Sequence, residues 1–387
     1  MSIVDVPGFA ATGQAVGIKG GGRLDAALIV ADVPALTVGV FTQNKAAAAP
    51  VQITKKHLAA SNNQMRGVLV TSGNANAATG QQGLDDAIAL CQDVAAGIGC
   101  DAHEIAICQT GLIGIPFPLS AARPGIQALP SSLGSTKDDG DRAAHAILTT
   151  DTFVKDVTIA RDGFTLGAIA KGAAMLAPNM ATMLSVITTD AALNQDQLQR
   201  ALATAVAGSF NSLVIDGATS TNDTVLVLSS GAARDVDERA FTDALSEACL
   251  TLAEFMTLDA EGATKAVRIH ISGAASNEEA HQGAVKVANS LLVKCSLNGE
   301  DPYWGRVLSE VATAGIECDP HVTTISYGGV AVSRGGIAID HDASAVTAHL
   351  AERWNSIEID LGLGAGVASI LTTDLGHGYI DENRTTS

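Results

Sequence analysis

The stretch Lys171-Gly172-Ala173-Ala174-Met175-Leu176-Ala177-Pro178-Asn179-Met180-Ala181-Thr182-Met183-Leu184 joins two β-rich runs, 164–170 and 183–188. Small residues and a proline lead into Ala181-Thr182, and a strand pattern starts at once. Two readings fit these residues. In the first, a plain loop enters a buried strand and Thr182 is an ordinary strand residue. In the second, the Thr182 hydroxyl attacks the Ala181 carbonyl, the ester hydrolyses, and Thr182 becomes a new N-terminus. Its α-amine, with a reference pKa near ~8, would be about one-tenth unprotonated at pH 7. That amine lies beside its own hydroxyl, which activates a nucleophile without a histidine triad.

Outward from this stretch, further strand patterns cover 27–30, 36–42, 67–71, 153–160, 224–228, 266–272, 322–327, 329–333 and 356–361. In 266–272, Val267, Ile269 and Ile271 share one face and Arg268 and His270 the other, the period of a half-buried strand. Helical periods run over 84–96, 142–148, 196–207, 238–255, 280–293 and 304–314. Asp235, Asp237 and Glu238 put negative charge at one helix start, as the helix dipole prefers. The Pro-, Gly- and Ser-rich patch 124–135 reads as a loop. Strands and helices interleave without a strict βαβ period, which predicts an α+β fold of mixed sheets covered by helices. No long linker and no repeat of fixed period divides the chain.

With 387 residues the chain has room for two or three cores. It is 47% hydrophobic and 17% charged, the balance of a globular protein. Aromatics make up only 3%, so small aliphatic side chains must build the core. A net charge of −18 argues against nucleic acid and against anionic membrane surfaces. It would steer cationic amino acids inward, or serve solubility alone. Six cysteines show no C-x-x-C pair or zinc spacing, and nine histidines are scattered. Reduced core cysteines and no metal are expected. Neither Gly20-Gly21-Gly22 nor Gly362-Leu363-Gly364-Ala365-Gly366 has the strand–helix context of a phosphate loop. The N-terminus has no signal-peptide pattern, and no apolar run reaches the ~18 residues of a span. A cytoplasmic location is the expectation.

The pattern K-G-x-x-M-x-x-P-x-x-A-T-M-L is similar to the cleavage motif of the ornithine acetyltransferase (glutamate N-acetyltransferase, ArgJ) family. Other blocks recur in family order. Upstream they are Pro7-Gly8-Phe9, Gly39-Val40-Phe41-Thr42-Gln43-Asn44, Ser72-Gly73-Asn74-Ala75-Asn76-Ala77, Thr110-Gly111-Leu112-Ile113-Gly114 and Thr149-Thr150-Asp151-Thr152. Downstream they are Thr219-Ser220-Thr221-Asn222-Asp223-Thr224, Glu261-Gly262-Ala263-Thr264-Lys265 and Trp304-Gly305-Arg306. The resemblance spans essentially the whole chain.

It implies a layered, N-terminal-nucleophile-like sandwich with two sheets between helical layers. It also implies self-cleavage into an α-chain, 1–181, and a β-chain, 182–387, that stay intimately associated. By the same resemblance Thr182 is the nucleophile, while Thr110 and Gly111 supply a hydroxyl and a backbone N–H to an oxyanion. Thr149, Lys171, Thr182, Glu261, Asn383 and Ser387 contact substrate. Glu261 has a chemical reason to be there, since a carboxylate can pair with a substrate ammonium. The implied reaction moves an acetyl group from N-acetylornithine to glutamate, in arginine biosynthesis, through an acetyl-Thr182 ester. No cofactor is implied; acetyl-CoA serves as a further donor in bifunctional members. Expected partners are these small molecules and further αβ units, in a heterotetramer or larger assembly, with no nucleic acid and no membrane. Rival readings are a paralogue with another amino-acid substrate, an amidohydrolase or aminopeptidase using the same threonine, and an uncleaved binding protein. Five positions depart from the family pattern: Gln109 for Ser or Thr, Ala174 and Ala260 for Gly, Leu291 for Pro, and Tyr303 for Asn.

Overall fold

The computed structural model describes residues 2–177, 183–233 and 236–384. In the first of these segments lie β1 (Phe9–Gln14), β2 (Ala26–Phe41), α1 (Ala49–Ala60), β3 (Gln64–Asn74) and α2 (Gly80–Ile98). They are followed there by β4 (Ile105–Leu112), α3 (Leu119–Ala128), α4 (Lys137–Ala146), β5 (Lys155–Arg161) and β6 (Phe164–Lys171). The second segment holds β7 (Leu184–Thr189), α5 (Gln195–Ala207), β8 (Leu213–Val214) and β9 (Thr224–Ser229). The third opens with α6 (Glu238–Leu258), β10 (Ala266–Ala274), α7 (Asn277–Ala288), α8 (Leu291–Asn298) and α9 (Trp304–Ala312). It closes with β11 (Thr324–Tyr327), β12 (Val330–Arg334), β13 (Ile337–Ala338), α10 (Ala343–Ala351), β14 (Trp354–Asp360), β15 (Gly366–Thr373) and α11 (His377–Asn383).

These strands form two mixed sheets, ordered β4-β3-β2-β9-β7-β6-β5 with β1 on β2, and β13-β12-β11-β14-β10-β15-β8. The long strand β2 explains how the first sheet folds over on itself. Its first half alternates Ala27, Ile29 and Ala31 toward one core and Leu28 and Val30 toward another. Pairing with β3 is interrupted between Val30 and Ala35, around Asp32-Val33-Pro34; proline removes a ladder donor there. Beyond the break β2 pairs with β9, and Val38 joins a third core.

The result is two leaves. Ile29, Val68, Val70 and Ala106 from one meet Ile169, Val186, Leu226 and Leu228 from the other. Outside the first leaf, Leu28, Leu69 and Ile107 pack with Ile53, Leu90, Val94 and Ile126 of α1–α3. Outside the second leaf, Ala168, Ile187 and Val227 pack with Leu198, Leu202, Leu245 and Leu252 of α5 and α6. This is the expected layered α+β sandwich. The other side of α6 reaches the second sheet, where Leu371 shares its core and Arg268 donates to Glu254 at 2.7 Å. The far face of that sheet, with Val267, Ile269 and Ile271, is covered by α7–α9.

Some expectations need correction. The patch 124–135 is mostly helical: α3 carries Pro124 inside it, and a 3-10 turn, Leu129–Ser132, follows. The proline removes one helix donor, but Ala122 and Ile126 are buried against α2, and that burial outweighs the lost bond. The run 280–293 is two helices, because Ser290 starts α8 by accepting a hydrogen bond from the Val293 N–H. At the start of α6, Asp237 accepts from the Ala240 N–H at 2.8 Å, while Asp235 lies outside the described residues. Cys91, Cys108 and Cys249 are buried, but Cys295 is exposed; all six are unbridged. Among the described residues no helix is long and apolar enough to cross a membrane.

Candidate active site

Five strand ends meet at one end of the sandwich. On one leaf, β3 and β4 run parallel and finish together at Asn74 and Leu112. On the other, β6 ends where β7 and β9 begin, with Lys171 paired to Leu184 and Leu184 to Thr224. Asn222 ties the leaves here, its Nδ2 donating to the Ala75 carbonyl at 2.6 Å and the Gln109 carbonyl at 2.8 Å.

Thr110 is buried and Gly111 is exposed at the tip of β4. Gly111 has φ +133°, and a Cβ there would stand 2.3 Å from the Gly73 carbonyl carbon. Only glycine fits so close to β3, which leaves the strand tip free of side-chain bulk. The departure at Gln109 is absorbed by a buried network. Its Nε2 donates to Thr71 Oγ1 at 3.1 Å, and its Oε1 accepts from Asn76 Nδ2 at 2.9 Å.

Lys171 is 4% exposed, with its Nζ 4.0 Å from Asp151 Oδ2. Asp151 also accepts from Lys155 Nζ and the Gly172 N–H, both at 2.7 Å, and from the Thr149 N–H at 3.0 Å. Lys155 is completely buried and bonds Asp259 as well, which in turn takes the Thr152 N–H at 2.9 Å. Burial alone would raise the Asp151 pKa, but Lys171 and Lys155 outweigh it and hold the carboxyl well below its usual range. Burial lowers the Lys171 pKa, opposed by Asp151 and reinforced by Lys155.

Asp223 holds the segment that resumes the chain after Thr182: its Oδ1 accepts the Met183 N–H at 3.0 Å. Complete burial pushes this carboxyl well above the ordinary carboxylate range, against the pull of that N–H. Lys19 donates to the Leu148 carbonyl at 2.5 Å, and burial lowers its pKa to about 8.

A cavity of about 260 Å³ opens beside this end, walled by Glu261, Asp216, Lys294, Asp374, Leu291 and Tyr379 among others. Glu261 is joined to the strand end through its N–H, which donates to the Ala173 carbonyl at 3.0 Å. Its Oε2 accepts from Asn383 Nδ2 at 2.7 Å. The next residue, Gly262, has φ +62°, and a Cβ there would lie 2.0 Å from the Tyr379 nitrogen. Glycine therefore lets α11 close over the turn. Tyr379 donates its hydroxyl to Asp216 Oδ2 at 3.2 Å, and the same oxygen accepts the Met175 N–H at 2.6 Å.

Of the residues singled out in the sequence, Thr110, Gly111, Thr149, Lys171, Glu261 and Asn383 gather at this end of the molecule. Ala181, Thr182 and Ser387 lie outside the described residues. The sequence reading assigned no role to Asp151 or Asp223, although both stand in quoted motifs, nor to Lys155, Asp259 or Lys294. Ala174 and Ala260 both avoid positive φ, so the added methyls meet no left-handed backbone. Leu291 is the first residue of α8, where proline is well suited. Tyr303 is half exposed, stacks on Arg306 with 5.0 Å from guanidinium to ring centre, and is not among the residues lining the cavity.

The family model described as ArgJ matches residues 10–385. The arginine biosynthesis bifunctional protein ArgJ of Thermobifida fusca is 42% identical over 385 residues, covering 99% of each chain. The protein of that name from Mycobacterium bovis is 43% identical over 384 residues, covering 97% of this chain and 94% of its own. Among solved structures, the ornithine acetyltransferase of Mycobacterium tuberculosis complexed with ornithine is 38% identical. Its TM-score is 0.44, over 46% of this chain and 94% of that one.

Proposed function

Because the chain belongs to the ArgJ family, we propose that it is a self-cleaving acyltransferase of arginine biosynthesis that carries acetyl from N-acetylornithine to glutamate. Cleavage falls between Ala181 and Thr182. The Thr182 hydroxyl then attacks the acetyl carbonyl of N-acetylornithine, and its own α-amine takes the hydroxyl proton. Negative charge on the former carbonyl oxygen is met by the Thr110 hydroxyl and the Gly111 N–H. The amine returns the proton to the leaving nitrogen, ornithine departs, and an acetyl-Thr182 ester remains. Glutamate's amine attacks that ester and leaves as N-acetylglutamate. Lys171 and Thr149, both anchored by Asp151, orient the substrate, and Glu261 pairs with the donor's ammonium.

The observation that carries this reading is the convergence of the ends of β3, β4, β6, β7 and β9, which gathers Thr110, Gly111, Thr149 and Lys171 at the end of the sandwich where the chain resumes at Met183. The relatives' shared name, a bifunctional protein, supports acetyl-CoA as a second donor. Self-association of αβ units in the cytoplasm belongs to the same reading.

Intact mass and N-terminal sequencing test it first: two chains are expected, the second opening Thr-Met-Leu-Ser. Transfer kinetics should give parallel double-reciprocal lines, and the β-chain should gain one acetyl group when N-acetylornithine is given alone. An intact chain with full activity would overturn the cleavage step. Free acetate released without an acceptor would make the enzyme a hydrolase instead.

A further inference from the structure

Two tails of opposite charge must visit one pocket in this reaction. The tail of N-acetylornithine ends in an ammonium borne on Cδ and that of glutamate in a carboxylate whose carbon is itself Cδ, so the two charges reach similar depths from the backbone. Glu261 suits the first and repels the second. The stretch Asn289-Ser290-Leu291-Leu292-Val293-Lys294, to which the mechanism above gives no task, supplies the missing charge. We propose that Lys294 binds the side-chain carboxylate of the acceptor in the cavity where Glu261 binds the ammonium of the donor. This rests on the acetyl-transfer reading.

Lys294 lines the cavity and is 4% exposed. It sits on α8, the helix that Ser290 starts. Its Nζ donates to Thr372 Oγ1 at 2.7 Å and to the Thr373 carbonyl at 2.9 Å. Both are neutral oxygens, and an ammonium carries a third N–H. Asp216 and Asp374 attract it from a distance, but their oxygens are engaged elsewhere. Asp216 takes the Met175 and Ala218 N–H groups and the Tyr379 hydroxyl. Asp374 takes the Thr264 and Lys265 N–H groups and Asn298 Nδ2. Among the described residues, no carboxylate lies within ion-pair distance of Lys294. A buried ammonium without a paired anion is expensive to hold, and a ligand carboxylate relieves that. Glu261 is the counterpart: one oxygen is held by Asn383, and no donor among the described residues takes the other.

Because the intermediate is covalent, the two half-reactions can be measured apart. The donor half is the burst of ornithine from N-acetylornithine alone. The acceptor half is discharge of the acetylated enzyme by glutamate or by glutamine, its neutral isostere. The native enzyme should prefer glutamate by about 10- to 100-fold, the worth of one charge-assisted hydrogen bond. Lys294→Met should lose that preference while the donor burst moves far less; Lys294→Arg should keep much of it. Equal use of glutamine and glutamate by the native enzyme overturns the proposal without any variant. So does a Lys294→Met enzyme that slows both halves alike, the mark of a structural role. Failure of the native enzyme to acetylate itself at all would instead sink the underlying function.

Discussion

The two walls of the site treat charge in opposite ways. On the sandwich side, Asp151, Lys155, Asp259 and Lys171 are buried together and satisfy one another. On the side of the second sheet, Glu261 and Lys294 face a cavity with bonding capacity left over. Closed charges fix geometry, because each would be uncompensated without the others. Open charges select ligands, because their partners arrive from outside. On the proposed reading, the chemistry belongs to the first wall and the choice of substrate to the second.

The largest effect should come from the proposed nucleophile. Thr182→Ala should abolish cleavage and transfer together, while Thr182→Ser keeps some of each; activity retained in the alanine variant would move the nucleophile elsewhere. On the closed wall, Asp151→Ala should destabilise the fold by about 3–5 kcal/mol, since Lys155 and Lys171 are left without it. A urea midpoint within error of the native one would mean that the network does not hold that wall. Thr110→Val should lower kcat by about 10²–10³ with little change in KM; a rise in KM alone would make Thr110 a binding group. On the open wall, Glu261→Gln should raise KM for N-acetylornithine by about tenfold and leave cleavage intact. Equal losses in both steps would erase the contrast between the walls.

The smallest test uses pH. An unfolded chain keeps a lysine proton to about 10.4, whereas burial lowers Lys294 to about 8, with Asp216 and Asp374 resisting. Between those values the unfolded chain binds more protons, so this residue makes stability rise with pH. Lys294→Met should flatten that rise in urea midpoints measured from pH 8 to 10.

The sequence made the strands flanking Thr182, and the alternation of 266–272, readable because local period follows burial. It hid β1, β4 and β15. In β4, Ile105, Ala106, Ile107 and Cys108 are buried on both faces, so no alternation marks the strand. In β2 the runs 27–30 and 36–42 read as separate strands, because Asp32-Val33-Pro34 interrupts the pattern where the chain changes leaf. The proposed catalytic set rests on resemblance. Lys155 and Asp259, 104 residues apart, carried no local signal at all. Their partnership exists only after α6 has brought Asp259 back to the sandwich, and a single sequence does not print such a distance.

The order of strands in the first sheet has a consequence for a severed chain. Reading across it, β4, β3 and β2 precede Thr182, β9 and β7 follow it, and β6 and β5 precede it again. A cut before Thr182 would leave the two pieces woven, with one fragment clasped on both flanks by the other. They would share one melting event and travel as one body until denatured. Once denatured, they would have to find each other by collision. Refolding would then slow on dilution, and heating would show hysteresis that the uncut Thr182→Ala chain escapes. Maturation of this kind works as a ratchet: assembled once as a single thread, the protein could not easily be assembled again.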